Sequence, residues 1–343
     1  MPRIGFACMY RHPQQSLSLK ELERIERTFN PRSTTLRWMA SVGRAAAEAR
    51  LEEIVEHNLN AQRVLLEYVA TLPPMLRMLR MLRLSSDLLP FYSHAEIAPF
   101  YRRAEMQSRL EAGFAAIGEL ARAHDIRLSM HPGQYCVLGS DKPQVVENSL
   151  AEFEYHADMI RMMGYGRRFQ DFKCNLHIAG RLGAEGVRAV WPRLSTEARH
   201  CITFENDEKT YGLDDCLSLA DLAPVVLDIH HCWIHEGCYI EPDDPRIERV
   251  LESWRGVRPT MHYSQPQESL MELGFAPEQK LEIPELLEKV NKRDLYAHSK
   301  RMWNRWTNRY AFQFLDRFDI MLEAKDKNLA ALDFHHEYQR ERA

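Results

Sequence analysis

Short apolar runs alternate with longer helical patterns along this chain of 343 residues. A short apolar run bounded by turn-forming or polar residues is typical of a buried strand. Eight strands are predicted in this way, at residues 3–7, 80–86, 126–131, 174–178, 201–205, 224–229, 258–263 and 318–323.

The segments between these strands have helical periodicity. A strand followed by a helix, about eight times over, indicates parallel strands joined by crossover helices. The pattern therefore predicts an α/β fold, a (β/α)8 or TIM barrel. A doubly wound open sheet is the alternative, but no GxGxxG follows the first strand. Helices are predicted at residues 45–70, 103–123, 144–163, 212–222, 245–256 and 283–294.

One domain is expected, because the chain has no low-complexity segment, internal repeat or Pro/Gly/Ser-rich linker. The prediction places this domain at residues 1–330 and a polar C-terminal tail at 331–343. Residues 264–317 are longer than a normal connection and partly helical, so an elaborated βα segment is expected there.

The charge balance and cysteine pattern exclude several classes of protein. The net charge of −4 gives no global attraction to nucleic acid, so any such contact must depend on a local patch. Seven cysteines without a CxxC pair argue against a disulfide framework and a thiolate zinc site. No membrane span or signal peptide is recognisable, so a cytoplasmic protein is expected.

The C-terminal ends of the predicted strands carry side chains that can bind metal ions. In a (β/α)8 barrel these ends meet at one face, where the active sites of this fold lie. A single histidine or carboxylate at a strand end more often has a structural role, but here nearly every strand delivers one. The candidate ligands are His94, His131, His177, Glu205, Asp228, His231, His262 and Glu323.

Carboxylates that converge on a barrel mouth repel each other unless cations compensate them. A mixed set of His, Asp and Glu suits Zn²⁺, Mn²⁺ or Fe²⁺, and the size of this set predicts more than one ion. Such a centre is well suited to phosphodiester hydrolysis, because one metal lowers the pKa of an attacking water and another stabilises the leaving oxygen.

Nine stretches of the chain together carry a family resemblance. The first is the opening strand, IGFACM, and the others follow in order from about residue 80 to 327. These are RLSSDLLPFYSH, RLSMHPGQYCVLGS, ENSLAEFEYHADMI, NLHIAGR, ITFENDEKT, VVLDIHHCW, MHYSQP and LEAKDK. In this order they resemble the ultraviolet damage endonucleases, relatives of endonuclease IV within the xylose isomerase-like barrels. Related sugar isomerases share the barrel and the metal-binding pattern, but not MHPGQY together with FENDEKT.

The resemblance implies an enzyme that cuts DNA on the 5′ side of ultraviolet photoproducts (cyclobutane dimers and 6-4 photoproducts). It implies two or three divalent ions per chain, with Mn²⁺ expected and Zn²⁺ or Mg²⁺ as alternatives, and the eight candidate residues named above as their ligands. Asp228 and His231 keep the family's D-x-x-H spacing, which ranks the adjacent His230 lower. A monomer acting on double-stranded DNA with ultraviolet lesions is expected. The candidate catalytic residues are Glu205, Glu323, His262 and Lys325.

The resemblance also implies a lesion-reading pair, Gln134 and Tyr135, which would contact the strand opposite a flipped-out lesion. Extrusion costs less for a lesion that stacks and pairs poorly. Two positions depart from the family pattern. Phe6 stands where members have a tyrosine, so stacking on the lesion is kept and a polar contact is lost. Thr260 stands where members often have a lysine, which puts the rate or the lesion range in question.

Basic residues near the C-terminus are further candidates for DNA contact. Lys325 and Lys327 follow Glu323 and would meet the DNA backbone at the barrel mouth. In KRMWNRWTNR, Arg301 and Arg305 share a helical face and alternate with tryptophans, which suits phosphate contact and base stacking. A solvated basic face with the tryptophans packed below fits the same pattern equally well.

Two other functions are also compatible with the sequence. A barrel sugar isomerase or epimerase would use the metal to hold a hydroxy-ketone while a carboxylate moves protons. A damage-binding protein without turnover would keep the metal site, and Thr260 is compatible with that function.

Overall fold

A barrel of parallel strands forms the centre of the molecule in the computed structural model, which describes residues 1–133 and 135–342. Each strand overlaps one of the predicted strands, and the predicted (β/α)8 barrel is confirmed. Within the described residues the strands are β1 (Ile4–Ala7), β2 (Met81–Arg83), β3 (Arg127–Met130), β4 (Lys173–His177), β5 (Ile202–Glu205), β6 (Val225–Val226), β7 (Thr260–Tyr263) and β8 (Asp319–Leu322).

The strands follow one another in the order β6-β5-β4-β3-β2-β1-β8-β7, each parallel to its neighbour. The remaining seam, between β6 and β7, is bridged at one point. There the backbone N–H of His262 donates to the carbonyl oxygen of Leu227 at 2.9 Å, and Asp228 pairs with His262 in an isolated parallel bridge. The barrel therefore closes beside two of the predicted metal ligands.

Helices surround the barrel and account for most of the connections. No helix in the described part of the chain combines the length and the apolar character needed to cross a membrane. The helices there are α1 (Leu19–Glu26), α2 (Leu36–Ser41), α3 (Arg44–Ala70), α4 (Ala98–Tyr101), α5 (Ala104–Ala123), α6 (Pro143–Met162), α7 (Gly183–Val190), α8 (Thr196–Cys201), α9 (Leu213–Leu217), α10 (Ile229–Glu236), α11 (Pro245–Ser253), α12 (Ile283–Leu287), α13 (Arg305–Phe312) and α14 (Lys327–Arg342).

Helix α14 contains most of the segment that was expected to be a polar tail. Its Phe334 and Tyr338 are buried, and the Phe334 ring packs against Tyr263 of β7 and Phe312 of α13. The buried residues of α14 recur at helical spacing and include the polar Asn328 and His335, so the polar composition of the segment did not indicate burial. Residues 331–342 are thus part of the packed structure rather than peripheral, while the domain division itself stays a prediction.

Side chains alternate between the interior of the barrel and the surrounding helices, and β1 shows the consequence most clearly. A Cβ atom on Gly5 would lie 2.8 Å from side-chain atoms of both Met81 and Met321, so this position faces a filled interior and has room only for glycine. Phe6, the next residue, faces the helical layer and is 1% exposed.

Candidate metal centre

Glu205 lies at the centre of the site, because it ends β5 at the point where three other strands deliver a histidine. Nδ1 of His262 lies 2.9 Å from Oε1 of Glu205. On the other carboxylate oxygen, Oε2, Nε2 of His131 lies at 3.4 Å and Nε2 of His177 at 3.7 Å. Asn175, also on β4, donates a hydrogen bond to Oε2. The carboxylate is buried and held from several sides.

Asp228 is the second carboxylate of the site, and its position is set by the start of α10. Its Oδ1 accepts hydrogen bonds at 2.8 Å from the backbone N–H groups of His230 and His231, as an N-cap does. The side chain of Asn206 forms two 2.9 Å hydrogen bonds with the Asp228 backbone. Oδ2 is buried and has no hydrogen-bond partner in the described residues, which leaves an oxygen available to a cation.

The donor atoms form two sets that fit a divalent cation. In each set the potential ligand atoms lie within 4.8 Å of one another: His131, His177 and Glu205 in one, and Glu205, Asp228 and His262 in the other. Nitrogen and carboxylate oxygen donors of this kind suit Zn²⁺, Mn²⁺ and Fe²⁺. Because Glu205 belongs to both sets, one carboxylate can serve two neighbouring ions.

Glu323 extends the site toward β8 and the barrel mouth. Its Oε1 lies 3.4 Å from Nδ1 of His262, and Arg83 of β2 donates a hydrogen bond to the same oxygen. Its Oε2 lies 3.9 Å from Nδ1 of His298, a histidine that the sequence reasoning missed. His298 is not at a strand end but in the elaborated segment, where a bridge with Pro266 places it. In the sequence, only the fact that residue 298 is a histidine could have indicated its place in the site.

His231 faces the site, whereas the adjacent His230 does not. Nδ1 of His231 lies 3.7 Å from Oε1 of Glu205, while Nε2 of His230 lies 3.0 Å from the carbonyl oxygen of Leu295. Glu208, which follows β5 and was not predicted, lies with Oε2 3.8 Å from Nε2 of His231. The motif ITFENDEKT thus supplies two carboxylates close to the histidines, Glu205 and Glu208.

His94 belongs to neither ligand set within the described residues. It lies in the loop after β2, with Nδ1 buried and without a hydrogen-bond partner in that part of the chain. The structure therefore leaves its ring nitrogen free, and its role as a ligand stays a prediction.

Burial and neighbouring charges shift the proton affinities of the carboxyl groups and histidines in the site. Burial raises the pKa of Asp228 to about 7. The charge of Glu205 also raises this pKa, whereas the charge of His231 lowers it. Burial would lower the pKa of His231, but Asp228 and Glu205 outweigh it and raise the pKa to about 9. Burial would also raise the pKa of Glu323, yet Arg83 and His262 hold it well below its usual range.

Lys173 is a fully buried amine beneath the ligands. Its Nζ lies 2.8 Å from Nε2 of His262. Burial lowers the pKa of Lys173 to about 7 and that of His262 to about 4, with Glu205 opposing both shifts. A neutral imidazole carries one ring proton, so Lys173 donates to Nε2 while that proton lies on Nδ1, and its free amine accepts when the proton lies on Nε2. Thr260, where the resemblance led to the expectation of a lysine, is buried, and its Oγ1 has no partner in the described residues.

The inward orientation of Lys173 could have been predicted from the sequence. Lys173 begins the run KCNLH, in which residues 173, 175 and 177 alternate onto one face of the strand. Because His177 of this face was already a candidate ligand, the same alternation indicates that Lys173 and Asn175 also face the barrel interior.

The predicted DNA-contacting residues fall into different environments. Tyr135 is 82% exposed beside the strand end at His131, whereas Gln134 lies outside the described residues. Lys325 is exposed and Lys327 half-buried, and both line a cavity of about 340 Å³ that also includes Glu323. Phe6 is a correction: it is buried because β1 turns it toward the helices, so it offers no surface to a lesion.

Arg301 and Arg305 both pair with carboxylates. Arg301 contacts Asp326 at 2.7 Å and Asp333 at 2.5 Å, and Arg305 contacts Glu278 at 2.9 Å. The tryptophans of this segment pack inward; Trp306, for example, lies against Tyr239 and Tyr310. This arrangement matches the alternative of a basic face above packed tryptophans, and DNA contact by the two arginines stays a prediction.

The fold and these donor sets define a (β/α)8-barrel protein with a candidate centre for divalent metals at the C-terminal ends of its strands. The family model described as UV-endonuclease UvdE matches residues 2–342. This chain belongs to that family.

Similar proteins agree with this assignment. The chain is 29% identical over 272 residues to the UV-damage endonuclease of Schizosaccharomyces pombe and 26% identical over 275 residues to the UV DNA damage endonuclease of Bacillus cereus. The alignments cover 75% of this chain and 40% of the first relative, and 74% of each chain for the second. This chain thus spans about two fifths of the yeast relative. The crystal structure of SacUVDE shares the fold, with a TM-score of 0.73, 23% identity and coverage of 100% of this chain and 99% of that one.

Proposed function

We propose that this chain is a metal-dependent DNA endonuclease that hydrolyses the phosphodiester on the 5′ side of ultraviolet photoproducts. The observation that carries the proposal is the convergence of His131, His177 and His262 on the buried carboxylate of Glu205. Family membership supports the substrate class, since the similar curated proteins are UV-damage endonucleases. We propose that the protein acts as a monomer on double-stranded DNA.

The proposed cofactor is a cluster of two or three divalent ions, with Mn²⁺ as the first candidate. When bound, such ions lower the pKa of a water and stabilise a departing oxyanion. In our proposal Glu205 would contribute to holding an ion in either donor set, and Glu323 would be a further ligand toward the barrel mouth. The complete proposed ligand set is His94, His131, His177, Glu205, Asp228, His231, His262 and Glu323, with His298 added by its contact with Glu323.

The other residues of the barrel mouth have proposed roles in binding and orientation. Arg83 orients Glu323 by its hydrogen bond, and Lys325 and Lys327 bind phosphate oxygens next to the cavity that all four line. The exposed ring of Tyr135 stacks on bases at the damaged site. In this arrangement lesion reading and cutting use adjacent but separate groups.

The decisive experiment is a nicking assay on ultraviolet-irradiated supercoiled plasmid, with protein purified without chelators and its metal content measured. We expect relaxed plasmid with Mn²⁺, no relaxation after chelation, and no relaxation of unirradiated plasmid. Supercoiled irradiated plasmid in the presence of metal-loaded protein would contradict the proposal. A lesion-dependent gel shift without nicking would then assign a damage-binding protein, and bound metal without any DNA binding would favour an isomerase or epimerase.

A further inference from the structure

We propose that Lys173 is a positioning residue that fixes the orientation of His262 in the metal centre, an inference that rests on the proposed function. The side chain of Lys173 is buried in the barrel interior, and its Nζ lies 2.8 Å from Nε2 of His262. In the part of the chain that the structure describes, this is the only side-chain hydrogen bond of Lys173, and the amine lies in no ion pair within 4.0 Å.

The buried carboxylate of Asp319, the register partner of Thr260 on β8, pairs with Arg127 and Arg258 and not with Lys173. Ser129 of β3 is the register partner of Lys173, and Thr260 lies two residues before His262 on β7. Both hydroxyl oxygens are buried and have no hydrogen-bond partner in residues 1–133 and 135–342. Lys173 therefore forms its hydrogen bond with a ring nitrogen of a proposed metal ligand and with neither of these two hydroxyl groups.

Stability does not account for this placement. Burying an amine is costly unless it is well paired, and a packed apolar residue of similar volume is often as stable or more stable. Apolar side chains do occupy the barrel interior elsewhere, as Met81 and Met321 do beside Gly5. An apolar side chain could not form the hydrogen bond with His262.

The contact decides which nitrogen of His262 faces the metal centre. With Nε2 against Lys173, Nδ1 lies 2.9 Å from Oε1 of Glu205 and 3.4 Å from Oε1 of Glu323. With Nδ1 offered to an ion, the ring proton would lie on Nε2 and be donated to the free amine of Lys173. This hydrogen bond would fix both the ring plane and the nitrogen that faces the ion. Loss of such a partner typically weakens metal affinity about 10- to 100-fold.

The test compares wild type with Lys173→Met, which keeps the length of the side chain and removes the amine. Mn²⁺ bound per chain is measured by elemental analysis, Mn²⁺ affinity by electron paramagnetic resonance titration, and the melting temperature is measured without metal. We expect Mn²⁺ affinity to fall about tenfold or more, while the metal-free melting temperature stays the same or rises. Ser129→Ala, in the same layer, is the matched control and should keep wild-type affinity.

An exchange variant, Lys173→Thr with Thr260→Lys, keeps the composition of the core and moves the amine to the strand of His262. Wild-type Mn²⁺ affinity in this variant supports the role of the amine. A folded exchange variant as weak as Lys173→Met assigns the loss to core packing and overturns the proposal. Unchanged affinity in Lys173→Met also overturns it, whether or not the melting temperature falls.

The same measurements separate this inference from the proposed function. A wild type that binds Mn²⁺ but does not nick irradiated plasmid contradicts the nuclease function alone, because the affinity comparison still decides the role of Lys173. A wild type that binds no divalent metal overturns both proposals.

Discussion

Oε1 of Glu205 lies 2.9 Å from Nδ1 of His262, although 57 positions separate the two residues along the chain. Asn175 donates a hydrogen bond to the other oxygen of the carboxylate. Burial alone would raise the pKa of Glu205, but His262 and His177 hold it well below its usual range. Glu205 is therefore charged and oriented by the fold itself, which is the arrangement that a shared metal ligand requires.

Replacing Glu205 by glutamine tests this arrangement, because Glu205→Gln keeps the shape and removes the charge. We expect bound Mn²⁺ to fall below one ion per chain and the nicking rate to fall by more than about 100-fold. This effect exceeds the loss of about 10- to 100-fold that is typical when a residue that only hydrogen-bonds to a metal ligand is removed. Elemental analysis and the plasmid assay measure the two effects. Glu236→Gln, which alters a surface pair with Arg246, is the control. Wild-type metal content in Glu205→Gln would refute the assignment.

The contact between Arg83 and Glu323 is a largely buried ion pair, with each side chain 12% exposed. Arg83→Met leaves the carboxylate without its cation, and we expect the metal-free protein to lose about 3–5 kcal/mol of unfolding free energy. Urea denaturation measures this change. Arg305→Met breaks an exposed pair with Glu278 and should cost less than about 1 kcal/mol. Equal losses in the two variants would show that Arg83 does not compensate Glu323.

Lys325 and Arg305 differ in their expected contribution to DNA binding. Lys325 is exposed beside the cavity at the barrel mouth, while Arg305 is paired with Glu278. We expect Lys325→Met to weaken binding and to reduce the slope of log K against log salt by about 0.9, the value for one phosphate contact. Arg305→Met should keep the wild-type slope. Titrations of irradiated duplex at several salt concentrations measure both slopes, and a reversed ranking would place DNA on the face of α13 instead.

Tyr135 is expected to contribute to lesion selectivity without contributing to metal binding. Stacking of a base on an aromatic ring is worth about 1–3 kcal/mol, so Tyr135→Ala should lower the preference for irradiated over unirradiated plasmid about tenfold. The ratio of nicking rates measures this preference, with bound Mn²⁺ measured alongside. Trp38→Ala removes another exposed aromatic, on α2, and should leave the ratio unchanged. Loss of metal in Tyr135→Ala would contradict the separation of reading from cutting.

His156, in α6, predicts a pH dependence of stability that arises mainly from the burial of its ring. Burial lowers its pKa to about 4, although Nδ1 donates a hydrogen bond at 2.8 Å to the carbonyl oxygen of Glu152. The unfolded chain, with a histidine pKa of about 6.5, binds more protons between these values, so stability falls as the pH decreases below about 6.5. From pH 7.5 to 5 this group alone should cost about 2 kcal/mol.

Urea denaturation of the metal-free protein at both pH values tests this sign. The loss between pH 7.5 and 5 should be about 2 kcal/mol smaller in His156→Gln than in wild type. His336→Gln removes an exposed imidazole from α14 and should keep the wild-type loss. An identical pH dependence in all three proteins would mean that the buried ring of His156 binds its proton as easily in the folded state as in the unfolded one.

The eight strands and the main helices could be predicted from the sequence because the pattern of apolar residues is local. The ends of those strands could be predicted for the same reason, and with them His131, His177, Glu205 and His262, since a parallel barrel brings all strand ends to one face. Alternation also determines that Phe6 faces outward once Gly5 faces inward, so its burial could have been predicted as well.

The sequence alone thus determined the type of fold and the chemical character of the site, because hydrophobic periodicity and strand ends depend on near neighbours. Only the tertiary structure decided that Lys173 contacts Nε2 of His262, that His298 joins Glu323, and that Arg301 is paired with carboxylates. These contacts join residues far apart in the chain. They depend on how the barrel closes and on where the long segment after β7 folds back, and no local pattern specifies either.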